Sequence, residues 1–395
     1  MIGYPVRDFS DPPTEGAPRH PLLLDATTMA DYARGAAILG AGGGGATGVG
    51  LLAALQAVET HGPVEVIPVD QVPPEALVLP AAGLGSPDIT QEKIGNPEQG
   101  RWLREMMEQE TGRSAYAFMA IEVGGSNALQ PVVWAALTGL PLLDADGMGR
   151  AFPEAQMVSM HLAGIPATPS AVVDERGHKF MLRDMDAHWL ERSARALAVA
   201  CGGFVCTVDH PMTGHQLHSG AIAGSVTRAL DIGRAIAAAT TGTDAGAAGT
   251  EATQPPGRLD TVLRHLDGHL LVTGKVTDVQ RRTVDGFVRG HLVIDGLGAD
   301  RGRRVHVAIQ NENLVVTEDD RTLATVPDII TVLDTQTSEV IFTELLRYGQ
   351  RVSLLAVPAP EIWCTERGLE VAGPRAFGFD LDYQPVQTLR AEASR

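Results

Sequence analysis

The densest chemical signal in the chain is Leu142-Leu143-Asp144-Ala145-Asp146-Gly147-Met148-Gly149-Arg150-Ala151-Phe152-Pro153-Glu154. An apolar run breaks into two carboxylates, two glycines, an arginine and a third carboxylate. In α/β proteins the ends of strands are where ligands and chemistry are placed. Asp144 and Asp146 lie two residues apart, so a persisting strand turns both to one side. Two like charges that close raise one pKa unless a cation intervenes. A divalent metal or a proton-shuttling acid would explain them. Arg150 and the start of a following helix offer a structural explanation instead. Glu122 poses the same question, because it follows the apolar Ala120-Ile121 and meets Gly124-Gly125. A carboxylate there is costly unless paired or solvated, so it reads as a base, a metal ligand or a capped side chain. His161 lies in the apolar stretch Met157–Leu162 and suits either a metal ligand or a hydrogen-bonded core residue.

Two further groupings are weaker. Gly40, Gly42 and Gly45 match G-x-G-x-x-G, a dinucleotide phosphate loop when a strand precedes it. Here a helix is expected before it, which disfavours a Rossmann cofactor site. The loop can still present backbone N–H groups to an anion or a carbonyl oxygen at the start of the next helix. Cys206, Asp209, His210, His215 and His218 have side chains suited to zinc, but Pro211 and Gly214 make the segment loop-like. There is no G-x-S-x-G elbow, P-loop or H-E-x-x-H stretch, which disfavours serine hydrolases, P-loop NTPases and zincins.

The elements that must position these groups follow from patterning. A helix is predicted from Thr27 or Thr28 to Gly40 and another after the glycines to about Glu59. Strands are predicted at Val64–Val69, Ala76–Ala81, Ala115–Ile121 and Leu140–Leu143, and helices at Glu98–Thr111 and Ala128–Leu137. Strand and helix alternate, so the first part of the chain reads as an α/β unit with a mostly parallel sheet. After Ile165–Pro169 the texture changes. Ala171–Val173 and Lys179–Leu182 flank a turn at Asp174–Gly177, and helices follow at about 187–200 and 219–239. From Gly268 the chain is dense in short strands, giving a β-rich α+β second domain. Residues 1–20 read as an irregular arm and the Gly/Ala/Thr/Pro-rich segment 240–257 as a flexible connection.

Composition bounds the class. The 395 residues suffice for two domains, and 44% hydrophobic with 20% charged residues reads as globular. The net charge of −17, without a basic cluster, argues against nucleic acid as a partner. Three cysteines without framework spacing read as reduced thiols. No run reaches the length of a membrane span, so no membrane partner and a cytoplasmic location are expected.

Taken together, Gly42–Gly45, Ile121-Glu122-Val123-Gly124-Gly125, Asp144–Glu154, Pro211-Met212-Thr213-Gly214 and Gly373-Pro374-Arg375-Ala376-Phe377-Gly378 resemble the S-methyl-thiohydantoin desulfurase family, over about residues 25–380. The acidic motif is the specific part. The chain departs from the family pattern at Ala46-Thr47, where an acid and a proline follow the four glycines. The resemblance implies an N-terminal α/β domain at 21–167 and a β-rich C-terminal domain at 168–384. It also implies hydrolytic removal of sulfur from a cyclic thiohydantoin-type substrate to leave a hydantoin. On that reading Glu122 and Asp146 flank the reacting water and Asp144 orients. Gly42, Gly43, Gly44, Gly45 and Arg150 hold the substrate, a carboxylate base or a metal-bound hydroxide activates the water, and His161 serves as an acid or, with Asp146, as ligand to a divalent, zinc-like ion that tolerates a sulfur leaving group. A small cyclic molecule is the expected partner, and a homo-oligomer the expected assembly. Two alternatives compete: a noncatalytic partner or regulator of hydantoinase- or oxoprolinase-type enzymes, and a nucleotide-dependent oxidoreductase using the glycine loop.

Overall fold

A computed structural model describes residues 2–3, 21–90, 92–241, 257–319 and 321–393. Two sheets carry the architecture. The first runs Leu22–Leu24, Val64–Ile67, Leu142–Leu143, Ala115–Ala120, Leu77–Gly85, Phe204–Val208, Ser170–Val173 and Lys179–Leu182 in spatial order. Its four strands from Val64–Ile67 to Leu77–Gly85 are mutually parallel, and antiparallel strands flank them on both sides. The parallel strands are mostly apolar because both faces of the sheet are covered over most of their length. Leu79, Ala81 and Phe118 enter one core with Leu103 and Trp134 from the helices. Val78, Ala82, Ala117 and Met119 turn the other way, into a second core with Met160, Leu217 and Trp363. The side-chain alternation of a strand thus divides one sheet between two interiors.

The second sheet is antiparallel throughout: Arg321–Thr325, Glu312–Glu318, Arg304–Gln310, Phe287–Gly296, His269–Val284, Arg351–Val357 and Ile329–Asp334. One face closes its own core through Leu292, Ile294, Val305, Val307 and Leu354. Ile329, Leu333, Leu355 and Val357 instead join the first core, so the two sheets share buried surface. The α/β unit with a largely parallel centre and the β-rich second region match what patterning leads one to expect. The first sheet recruits its last strands from as far along the chain as Val208.

Local differences from the sequence reading have physical causes. The strand before the acidic motif does not persist. Leu142–Leu143 stays in the main sheet, whereas Ala145–Asp146 leaves it to pair with Ile222–Ala223 in a small separate sheet. Its partner Ile222–Ala223 divides the helix expected at 219–239 into Gly214–Gly220 and Ser225–Thr241. The arm at 1–20, apart from Ile2–Gly3, and most of the flexible connection at 240–257 lie outside the described residues. Among the described residues no helix is long and apolar enough to cross a membrane.

Candidate active site

The glycine loop lies between two helices, Met29–Leu39 and Thr47–His61, with no strand leading into it. Its backbone bends through left-handed conformations at Ala41, Gly42, Gly44 and Gly45. The second sheet is stitched onto this bend. Asn313 N–H donates to Ala41 O at 2.9 Å, Thr343 N–H donates to Gly42 O at 2.8 Å, and the Thr331 hydroxyl donates to Ile38 O at 3.0 Å. These bonds bring Glu312, at the start of its strand, against the loop. A Cβ on Gly43 would lie 2.0 Å from Glu312 Oε1, so the side chain at 43 has to be a hydrogen for the carboxyl to fit.

From the first domain, Glu122 extends from the end of Ala115–Ala120 to the same place. It is 5% exposed. Asn127 fixes it: the amide accepts from Gly83 N–H at 2.9 Å and donates to Gly83 O at 3.1 Å and to Glu122 Oε1 at 2.5 Å. Phe152 N–H donates to the other Glu122 oxygen at 3.3 Å. Burial pushes the Glu122 carboxyl up to about 8, against the pull of Asn127 and Phe152. Glu312 is 2% exposed and is also pushed upward by burial, with the charge of Glu122 acting in the same direction. Arg150 opposes the rise in both. Glu312 Oε2 has no hydrogen-bond partner. Two buried carboxyls that influence one another tend to share a proton rather than ionise together.

Both face a cavity of about 850 Å³ that Gly44, Gly45, Asn127, Asn311 and Asp209 also line. Asp209 is held by the hydroxyls of Ser170 and Thr207, and burial raises it to about 6. Cavities of this size hold small organic ligands.

The sequence-selected residues divide into those the cavity uses and those the scaffold uses. Glu122, Gly44 and Gly45 line the cavity, while Gly42 and Gly43 lie behind it, against Asn313 and Glu312. Asp146 is fully buried and does not reach the cavity. Its Oδ2 accepts from the N–H groups of Val123, Met148 and Gly149 at 2.9, 3.2 and 2.7 Å, and burial raises its pKa to about 7. It ties the Glu122 strand end to the following turn. Asp144 points elsewhere, accepting from the N–H and hydroxyl of Thr227 at 3.0 and 2.6 Å near the start of Ser225–Thr241. The two aspartates separate because the strand that would align them ends between them. Arg150 is fully buried. It donates to Pro327 O at 2.6 Å and Asp328 O at 2.8 Å and lies 4.3 Å above the Phe152 ring, so it secures the second domain rather than lining the cavity.

The donor set expected for a zinc-like ion does not fit. His161 packs edge-on to His188 at 5.8 Å, and no hydrogen bond or ion pair joins it to Asp146. Of the Cys206–His218 grouping, Asp209 alone lines the cavity, and His215 and His218 are exposed. Among the described residues no three His, Cys, Asp or Glu side chains gather as a metal cluster. Glu312, Asn127 and Asn311 escaped sequence reading. Glu312 and Asn311 lie in an ordinary strand-and-turn context, and their signal was at most an Asn-Glu-Asn run among apolar strands.

The fold and site define a two-domain α/β-plus-β protein with a cavity lined by buried carboxyls at the domain junction. Comparison assigns its family: the S-Me-THD-like N-terminal domain model matches residues 27–184 and the S-Me-THD-like C-terminal domain model residues 185–386. The chain therefore belongs to the S-methyl-thiohydantoin desulfurase-like family. No curated protein matches it. A crystal structure of a protein from Chromobacterium violaceum is similar in fold, with a TM-score of 0.73 and 24% identity, covering 92% of this chain and 100% of that one.

Proposed function

We propose that the protein is a hydrolase that removes sulfur, as a thiol, from a cyclic thiohydantoin-type substrate to leave a hydantoin. The observation that carries this reading is the buried pair Glu122 and Glu312, brought from two domains to one cavity. Water adds to the ring carbon bearing the methylthio group. Its proton passes to the ionised member of the carboxyl pair. The electrons of the C=N bond move to the ring nitrogen, which takes the proton of Glu122. The tetrahedral carbon then reforms a C=O bond as its hydroxyl gives its proton to the carboxylate left on Glu122, and it expels the thiolate, which leaves as thiol with the proton that the pair took from water. Water is consumed, and hydantoin and methanethiol are formed. Burial suits Glu122 to the acid role, because a carboxyl raised to about 8 is largely protonated near neutrality. No step is routed through a metal.

Purified full-length protein incubated with a 5-substituted 2-methylthio-hydantoin is expected to release thiol, read with a thiol-reactive chromophore. Glu122→Gln and Glu312→Gln are each expected to lower kcat by roughly 10²–10⁴-fold, the usual worth of a positioned acid or base. Full turnover in both variants, or stable co-purification with a hydantoinase-type enzyme and no thiol release, would overturn the reading.

A further inference from the structure

The cavity is much longer than the reaction requires. From the glycine loop it continues as a groove along two helices, and its walls repeat at helical spacing. Val49, Ala53 and Ala57 come from Thr47–His61, and Val133, Trp134 and Leu137 from Gln130–Thr138. The lining extends to Thr60, eleven residues beyond Val49, or about 16 Å at the rise of an α-helix. A five-membered ring seated at Glu122 and Glu312 fills only the inner end. The walls beyond it are mostly apolar, and two alanines keep the groove open where larger residues would close it.

We infer that the substrate carries, on its ring, an elongated and mainly apolar substituent that lies along this groove. The inference rests on the desulfurase reading for the identity of the ring. The groove would then select among thiohydantoins by side chain, while the carboxyl pair treats their rings alike.

The test measures binding of two hydantoins, the product-type ring, to the full chain by calorimetry: 5-methylhydantoin and 5-(4-phenylbutyl)hydantoin. The phenylbutyl compound is expected to bind at least tenfold more tightly. Ala53→Phe, on an exposed helix position, is expected to erase that advantage while leaving the Kd for 5-methylhydantoin within about twofold. Equal affinities for the two hydantoins, no binding of either, or an Ala53→Phe effect of the same size on both would overturn the inference. Turnover of the methylthio analogues is measured in parallel to separate the two readings. Long-chain preference in binding without thiol release sinks the desulfurase chemistry and keeps the groove; thiol release without chain preference does the reverse.

Discussion

Glu122 owes its chemistry to a conflict between burial and ionisation. Its carboxyl holds a proton up to about pH 8 in the folded protein, whereas in an unfolded chain it releases the proton near pH 4.3. Between those values the folded state binds a proton that the unfolded state has lost. Stability therefore falls as pH rises through this window and levels off above it. Glu122→Gln removes the dependence, so its melting temperature should gain on the parent's between pH 6 and 9; parallel curves would contradict the assignment. Asp146, which burial raises as well, to about 7, contributes instead through its hydrogen bonds. With three backbone N–H groups on one oxygen, Asp146→Ala should cost on the order of 3 kcal/mol, because each abandoned buried donor carries a penalty. Asp146→Asn keeps an acceptor and should retain most of kcat with a smaller loss in melting temperature. A hundredfold loss of kcat at unchanged stability would make Asp146 catalytic after all.

The loop between Met29–Leu39 and Thr47–His61 shows how local backbone geometry sets the site. Gly44 has a φ of +72°, and a Cβ there would meet Gly124 O at 2.3 Å. Gly44→Ala combines left-handed strain of about 1–3 kcal/mol with a backbone collision. It should lower both the melting temperature and turnover. Gly48, only four residues on, is helical and has nothing within 4 Å of an added Cβ. Gly48→Ala should raise stability by roughly 0.5–1 kcal/mol and leave activity intact. Unfolding curves of the two variants test whether the glycines serve the bend or merely populate it. The helix, the glycine bend and the next helix were legible because glycine breaks and apolar spacing are local signals. The parting of Asp144 from Asp146 was not, because it depends on Ala145–Asp146 pairing with Ile222–Ala223 some 77 residues away.

The two domains meet through Arg150, whose guanidinium reaches the carbonyls of Pro327 and Asp328 and moderates the charge on both Glu122 and Glu312. Arg150→Met should therefore destabilise on the order of 3 kcal/mol by stranding buried carbonyls. In the fraction that folds, the basic limb of the pH–rate profile should move upward, since both carboxyls lose their neighbouring cation. An unchanged limb would separate the latch from the chemistry. Sequence alone determined the fold class, the family motifs and Glu122 as a carboxyl in costly surroundings, because apolar periodicity and a charge at the end of an apolar run are written locally. Tertiary structure alone decided that Glu312 is the partner of Glu122 and that Asp146 and Arg150 hold the frame. Those assignments depend on which backbone groups come to lie beside each side chain, and the chain segments that supply them are as many as 190 residues apart, joined only when the second sheet closes over the glycine bend.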